Sequence, residues 1–370
     1  MLSVQKTLGP SIIGSQLRAA REGIGLSLEE VAEAAQVSSR ELAEWESDQV
    51  EPPIERVWEL AELYCRGVDY FLRRTPAPPP HASFRVARAR AKPDLSLEAR
   101  QVVARFEELC RAQTQLEELL QQPPPPALPA VAQPADAEAL AESERIRLDL
   151  GDKPINNLRT VLETQGVRVF ELPVPEDEFA GFSWRHPGYG PCILVNAGDV
   201  VGRRRWTLAH EYFHLVASDT PHICDLESLS SSEERLAERF AANFLMPPEA
   251  FLSDWQKRAA PGEGLKWGDI APVAGRYRVS LEAAAIRLSE LGAAPREQID
   301  RLLRVKAEPQ PSYGRTRPRF ERQLGERYVA LALDAYSRGR ISLGKLADYL
   351  DMAPQRALEV AEARMANGGR

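Results

Sequence analysis

Two clusters of proline constrain the fold of this chain more than any other feature of its sequence. Ten of the 29 prolines fall in them: Pro76 and Pro78 to Pro80 in the first, and Pro123 to Pro126, Pro129 and Pro134 in the second. Because proline fixes φ and donates no backbone hydrogen bond, such runs favour extended linkers. The 370 residues also exceed the roughly 150 of one typical domain. We therefore expect two to three domains separated by linkers.

The overall composition is that of a globular protein. Hydrophobic residues make up 44% and charged residues 27%, and no run approaches the roughly 18 apolar residues of a membrane span. The formal net charge of −7 argues against a protein that coats nucleic acid. Residues 1–15 lack the apolar stretch of a signal peptide, and the four cysteines show no CxxC spacing. We expect a cytoplasmic protein with reduced thiols and no membrane partner.

Hydrophobic periodicity predicts a mainly α protein with one small β-sheet. An amphipathic helix is predicted over Leu95 to Leu120, three strands between Gly166 and Asn196, and helices from Arg204 onward. The resulting partition is an N-terminal all-α domain at 1–75, a linker at 76–94, a spacer helix at 95–122, a Pro-rich linker at 123–136, a core domain at 137–293 and a small helical domain at 294–370.

The strongest chemical motif is His210-Glu211-Tyr212-Phe213-His214, which lies within a predicted helix. Side chains four residues apart lie on the same face of a helix, so both imidazoles can reach one metal ion. Glu211 is then placed to take a proton from water as a general base. The spacing predicts a zinc hydrolase that still needs a third protein ligand.

The third ligand is expected about twenty residues later, in a second predicted helix. Glu233 and Glu234 are nearly equal candidates by geometry, and Glu238 ranks behind them. Both of the first two also fit helix capping boxes, with Ser230 and Ser231, so either could have a purely structural role. Position along the helix alone leaves the choice open.

These residues carry a resemblance to a known family. The pattern R-x-T-L-A-H-E-x-x-H followed by E-x-x-A-x-x-F-A-x-x-x-L-M-P, at residues 205–247, resembles the ImmA/IrrE family of bacterial metallo-endopeptidases. The resemblance implies an α+β zincin-like peptidase core, a Zn²⁺ cofactor, ligands His210, His214 and Glu234, and Glu211 as general base. Tyr212 and Phe213 are bulkier than the residues found there in many relatives, which bears on how the helix packs.

Three further histidines lie outside this motif. His81 falls in a proline linker, whereas His186 and His222 are candidates to polarise the scissile carbonyl or are solvated surface groups. No residue can be assigned the oxyanion role from the sequence.

The N-terminal region shows five short helical patterns between Ile13 and Leu72, with Ser27 and Ser38 as expected N-caps of the second and third. It resembles an XRE/lambda-repressor-type helix-turn-helix domain. The resemblance implies that the third helix enters the major groove with Ser38, Ser39 and Arg40 nearest the bases.

Charge opposes DNA binding by this domain. Residues 1–75 contain eight basic and thirteen acidic side chains, a net charge of −5, which suits phosphate neutralisation poorly. Two basic stretches, around residues 85–92 and 315–322, could compensate or could be solvated surface. The domain is therefore expected either to bind DNA or to dock a protein or a second copy of the chain, and a segment at 339–350 resembles a further small helix-turn-helix.

The leading hypothesis from the sequence is a zinc endopeptidase fused to a helix-turn-helix module. It would cleave a transcriptional repressor or similar regulatory protein in a bacterial stress or mobile-element response. The alternative is a DNA-binding transcription regulator or antitoxin-like protein whose peptidase fold serves as sensor or scaffold. A purely structural zinc is a third hypothesis, and a homodimer is compatible with all three.

Overall fold

The computed structural model describes residues 13–72, 95–123, 125, 128, 136–175, 178–218, 222–224, 232–258, 265–304 and 323–368. The chain forms two compact units that divide between Ala112 and Gln113. Among the described helices, none is long and apolar enough to cross a membrane.

The first unit begins with five short helices, α1 to α5, which span Ile13–Ile24, Leu28–Ala34, Ser39–Glu46, Ile54–Leu63 and Val68–Phe71. Ser27 and Ser38 close capping boxes with Glu30 and Glu41, which confirms both expected N-caps. The helices are amphipathic, and their apolar faces enclose a core that includes the fully buried residues Leu17, Val31, Leu42, Leu60, Tyr64 and Phe71.

The predicted spacer helix is present as α6, Leu97–Leu120. Within the first unit, Ala104 of α6 joins the core of the five short helices. Arg66 also forms an ion pair with Glu108, and Arg100 forms one with Glu30. This part of α6 is therefore packed against the unit rather than isolated in solvent.

The second unit contains a four-stranded mixed sheet. Helices α7 (Ala137–Arg147) and α8 (Leu158–Thr164) precede strands β1 (Arg168–Leu172), β2 (Gly181–His186) and β3 (Gly190–Asn196), and β4 (His222–Cys224) follows later. The strand order is β1-β3-β2-β4, with β1 parallel to β3 and the other pairs antiparallel. The structure is thus mainly α with a small sheet, as the hydrophobic periodicity predicts.

Two helices lie against each other beside this sheet. They are α9 (Val201–Ala217), which packs on β2 and β3, and α10 (Ser232–Leu245), which packs on α9 and α7. Ala237 and Ala241 of α10 are fully buried. Small residues at the contact let the two helix backbones approach closely, so side chains from both can meet at one point.

Seven more helices complete the described part of the chain: α11 (Pro248–Arg258), α12 (Trp267–Tyr277), α13 (Leu281–Glu290), α14 (Arg296–Arg304), α15 (Glu326–Ser337), α16 (Leu343–Leu350) and α17 (Pro354–Gly368). The sequence patterns miss α8, α11 and β4. Helix α11 follows Pro247-Pro248, a pair that usually ends a helix, but Pro248 occupies the first helical position, where its missing N–H costs nothing.

Several expectations fall on residues outside the described ranges. They are the linker at 76–94, most of the linker at 123–136, the basic stretches at 85–92 and 315–322, His81, and the caps offered by Ser230 and Ser231.

Candidate metal centre

The residues of the HExxH motif lie on the buried face of α9. His210, Glu211 and His214 are at most 1% exposed, and Glu234 of α10 is 2% exposed. The motif lies in the part of α9 that is buried almost throughout, between the sheet and α10. Since unpaired charges are costly at such depth, these polar groups require partners.

The structure brings His210, His214 and Glu234 together at one point. The Nε2 atoms of the two histidines are 3.3 Å apart. Nε2 of His210 lies 3.0 Å from Oε2 of Glu234, and Nε2 of His214 lies 3.6 Å from Oε1 of the same carboxylate. Among the described residues, this is the group of three ligand-type side chains whose donor atoms all fall within 4.8 Å of one another.

This donor set fits a zinc ion. Bonds of about 2.0–2.1 Å at tetrahedral angles would separate ligand atoms by about 3.3–3.4 Å. The two Nε2 atoms are 3.3 Å apart, and they lie 3.0 and 3.6 Å from different oxygens of the Glu234 carboxylate. Two imidazole nitrogens that face each other cannot both donate a hydrogen bond, so at least one of them presents a lone pair. Three protein ligands also leave one tetrahedral position for water or substrate, as catalytic sites require.

Each histidine of this set turns its other ring nitrogen toward a glutamate of α10. Nδ1 of His210 lies 3.1 Å from Oε1 of Glu238, and Nδ1 of His214 lies 3.5 Å from Oε1 of Glu233. The three glutamates that are candidates for the third metal ligand therefore occupy different places. Glu234 faces both Nε2 atoms, whereas Glu233 and Glu238 approach the imidazoles from the opposite side.

His222 of β4 lies beside the same cluster. Its ring stacks on that of His214 with the centroids 3.4 Å apart, and its Nε2 lies 2.7 Å from Oε1 of Glu234. Its Nδ1 is 4.0 Å from Oε2 of Glu211. Of the two histidines considered as further candidates, His222 is the one that the structure places at the site.

His186 lies elsewhere, at the end of β2. Its Nδ1 accepts hydrogen bonds from the backbone amides of Gly188 and Tyr189, and its ring stacks on that of Tyr189. These contacts hold the turn between β2 and β3.

Glu211 is the most enclosed carboxylate of the site. Burial raises its pKa, and the neighbouring His222 and His210 oppose that shift. The Ser183 side chain also lowers this pKa, but within the described part of the chain neither carboxylate oxygen has a partner in good hydrogen-bond geometry. The oxygens of Glu211 are therefore available to a water molecule or a substrate.

Two of the ligand candidates have pKa values shifted in directions that suit metal binding. Burial lowers the pKa of His214 to about 4, which keeps its imidazole neutral at physiological pH. Burial alone would raise the pKa of Glu234, but the adjacent imidazoles of His210 and His222 lower it below its usual range. A neutral imidazole and an ionised carboxylate are the protonation states that bind a metal.

Tyr212 and Phe213 pack α9 against its neighbours. The Tyr212 hydroxyl accepts a 2.7 Å hydrogen bond from Nη2 of Arg147 and donates to the carboxylate of Glu144. The ring of Phe213 lies 5.6 Å from that of Phe240 on α10. The two bulky residues thus fill the space between α9, α7 and α10, and the ring of Phe213 also packs edge-on against that of His214.

The residues predicted to read DNA lie at the start of α3. The Ser38 hydroxyl accepts from the amide of Glu41 and donates to its carboxylate, so it is engaged in the cap. Ser39 is half-buried, and Arg40 is exposed with its Nε 2.8 Å from Oε1 of Glu44. Ser38 and Arg40 are thus both exposed, and Arg40 is the charged one.

Two contributors to the site are not visible in the sequence patterns. Gly181 of β2 packs directly against the Glu211 side chain, and Trp206 donates a hydrogen bond to Glu238. The one available signal was the i, i+4 spacing of Trp206 and His210, which places both on one face of α9.

Comparison with known families agrees with this architecture. The model of the IrrE N-terminal-like domain, a peptidase family, matches residues 162–289. That of a helix-turn-helix domain matches residues 17–71. Comparison with curated proteins gives no significant match. The resemblance drawn from the sequence motifs is therefore confirmed: the chain combines an N-terminal helix-turn-helix domain with a peptidase domain of the IrrE N-terminal-like family.

Proposed function

We propose that this protein is a zinc-dependent endopeptidase whose helix-turn-helix module directs it to a transcriptional repressor or a similar regulatory protein. The observation that carries the proposal is the meeting of His210, His214 and Glu234 beside the buried Glu211. This arrangement lies within the span matched by the peptidase family. The domain partition derived from the sequence belongs to the same proposal, with residues 137–293 as the peptidase domain.

In the proposed reaction, His210, His214 and Glu234 hold the ion. Zinc, when bound, supplies a Lewis acid that polarises the scissile carbonyl and acidifies water. Glu211 takes a proton from the attacking water at a carboxylate oxygen and delivers it to the nitrogen of the leaving amine. His222 is the proposed donor of an N–H to the substrate carbonyl oxygen, which is supported by its side chain being about one-fifth exposed beside Glu211.

The experiment is a cleavage assay with the purified full-length chain and a candidate repressor from its own genome. Wild type is expected to cleave the repressor and to stop when 1,10-phenanthroline removes the metal. Because general acid–base catalysis contributes about 10²- to 10⁴-fold, Glu211→Gln should lower the rate by at least about 100-fold while the metal content is unchanged. Equal cleavage by wild type and variant would exclude the mechanism.

A regulatory role without proteolysis is the alternative function, and a comparison of two variants in the cell distinguishes it from proteolysis. In a cell, an antitoxin-like or DNA-binding regulator would lose its effect when the helix-turn-helix domain is deleted but would keep it in Glu211→Gln. The endopeptidase proposal expects both changes to abolish the effect. The cytoplasm is the proposed location because both expected partners, a repressor and its DNA, are found there.

A further inference from the structure

The two metal-facing histidines differ in how firmly their other ring nitrogen is held. His210 Nδ1 lies 3.1 Å from Oε1 of Glu238, whose side chain is 40% exposed. His214 Nδ1 lies 3.5 Å from Oε1 of Glu233, whose side chain is 53% exposed. The first distance is that of a formed hydrogen bond, and the second is at the outer limit for one.

Glu238 is itself held by a second donor. Nε1 of Trp206 donates to Oε2 of Glu238 over 3.0 Å, so the two carboxylate oxygens serve one partner each. Trp206 lies one turn before His210 on α9, and Glu238 lies one turn after Glu234 on α10. The contact therefore ties the helix that carries two ligand candidates to the helix that carries the third.

We propose that Glu238, held by Trp206, is a positioning residue that fixes the orientation of His210 for the metal. With Oε1 accepting from Nδ1–H, the imidazole is kept in the tautomer whose Nε2 lone pair faces Glu234 and His214. A carboxylate in this position also increases the basicity of the ligating nitrogen. The inference rests on the proposed metal site, but it assigns a role to a glutamate outside the ligand set.

The chain supplies its own control for this proposal. Glu233 lies on the same helix, carries the same charge and approaches the other histidine, but at the longer distance and with more exposure. A general electrostatic effect of negative charge near the metal would make Glu233→Ala and Glu238→Ala equivalent. Positioning through a formed hydrogen bond makes Glu238→Ala the more damaging change.

The test measures metal affinity rather than activity. Zn²⁺ affinity is determined for the full-length protein by competition with a chromophoric chelator, and the ligand geometry is followed in the Co²⁺-substituted protein by its visible absorption spectrum. Loss of an outer partner of a ligating histidine lowers affinity about 10- to 100-fold. We expect this loss and an altered Co²⁺ spectrum for Glu238→Ala, and a loss below about threefold for Glu233→Ala.

Two conservative variants separate positioning from folding. Trp206→Phe keeps an aromatic side chain but removes the indole N–H, and Glu238→Gln, which is isosteric, offers one oxygen to two donors. Both should fold, and both should bind metal with an affinity between those of wild type and Glu238→Ala. Since Trp206 acts through Glu238, adding Trp206→Phe to Glu238→Ala should cause no further loss.

The outcomes are distinct. If wild type takes up no metal, the proposed function and this inference both fail. If wild type binds metal but Glu238→Ala and Glu233→Ala bind it equally well, only the positioning role is overturned. Additive losses in the Trp206→Phe, Glu238→Ala double variant would likewise overturn the role of Trp206.

Discussion

Gly181 of β2 and Glu211 of α9 are in direct contact, with no room for a side chain between them. A Cβ atom at Gly181 would lie 2.7 Å from Oε1 of Glu211 and 2.6 Å from Cγ2 of Thr207. Contacts below 3.0 Å force a displacement. The glycine therefore creates the space in which the Glu211 carboxylate sits against the sheet.

Gly181→Ala is expected to disable hydrolysis while leaving metal binding intact. The new methyl group displaces the Glu211 carboxylate, and an error of about 1 Å at a catalytic group can cost about 100-fold in rate. The ligand atoms lie on the side chains of His210, His214 and Glu234, whereas the three atoms nearest the methyl group belong to Thr207 and Glu211. Peptidase rate and bound zinc should be measured on the same preparation.

Gly268→Ala serves as the matched control for that substitution. Gly268 lies in α12, and a Cβ atom there meets nothing within 4 Å. Alanine should leave the rate unchanged and stabilise the helix by up to about 1 kcal/mol. A comparable loss of activity in both variants would contradict the role assigned to Gly181.

The helix-turn-helix unit should depend on the buried pair between Arg21 and Glu46. Nε and Nη2 of Arg21 donate to the two carboxylate oxygens of Glu46 over 2.7 and 2.8 Å. Removing one partner leaves an unpaired buried charge, so Arg21→Ala should lower the free energy of unfolding of this unit by about 3–5 kcal/mol. Hydrogen exchange measured by mass spectrometry on peptides from residues 13–72 of the full chain reports this change locally.

The neighbouring pair of Arg18 with Glu22 provides the comparison. The Arg18 side chain is 65% exposed, so Arg18→Ala should change the free energy of opening measured by hydrogen exchange by less than about 1 kcal/mol. Replacing both buried partners, in Arg21→Met with Glu46→Leu, should be far milder than Arg21→Ala. Equal effects of Arg18→Ala and Arg21→Ala would show that the buried pair contributes no more to stability than the exposed pair.

Cys65 should be slow to react at the pH where free thiols are alkylated. Burial raises the pKa of its thiol above the usual value for cysteine. A raised pKa means less thiolate at any given pH, so the rate of reaction with iodoacetamide should rise only above the pH at which a free thiol ionises. The thiol of the unfolded chain loses its proton at lower pH, so the same shift makes the fold less stable as the pH rises through the pKa of the unfolded thiol.

The measurement compares alkylation of the Cys65 peptide in native and urea-unfolded protein by mass spectrometry from pH 7 to 10. The unfolded protein acts as the internal control because its thiol titrates normally. A native rate that already levels off near pH 8.5 would contradict the burial argument.

DNA binding, if it uses α3, should respond to the pair between Arg40 and Glu44. The side chain of Arg40 is 88% exposed, but its Nε donates a 2.8 Å hydrogen bond to Oε1 of Glu44. Glu44→Gln removes the charge that competes with phosphate and should tighten DNA binding. Arg40→Ala should weaken DNA binding and reduce the slope of log affinity against log salt concentration by about one. Fluorescence anisotropy with a duplex from the region upstream of the gene, over a series of salt concentrations, measures both.

Glu359→Gln is the control for this experiment. Glu359 forms a similar exposed pair with Arg356 on α17, outside the helix-turn-helix domain. It should not change DNA affinity. If Arg40→Ala and Glu44→Gln also leave the affinity unchanged, α3 does not contact DNA, and the acidic domain is better explained as a protein-docking module.

Much of this protein follows from local sequence patterns. The spacing of His210 and His214 places both imidazoles on one helical face, because residues four apart overlie each other whatever surrounds the helix. The caps at Ser27 and Ser38 are similarly local, since each serine and its glutamate lie within one turn. By contrast, α11 was missed because a proline both ends and begins helices, and β4 because three residues carry too little pattern.

The sequence by itself therefore determined the mainly α architecture, the helix-turn-helix and the pair of histidines with Glu211 between them. Only the tertiary structure decided how Glu233, Glu234 and Glu238 divide around those histidines. All three lie on α10, and which of them faces Nε2 depends on the rotation and approach of α10 against α9, set by buried Ala237 and Ala241. The approach of Gly181 to Glu211 and of His222 to Glu234 was decided in the same way, because such contacts join residues that are distant in the chain and depend on the packing of whole elements.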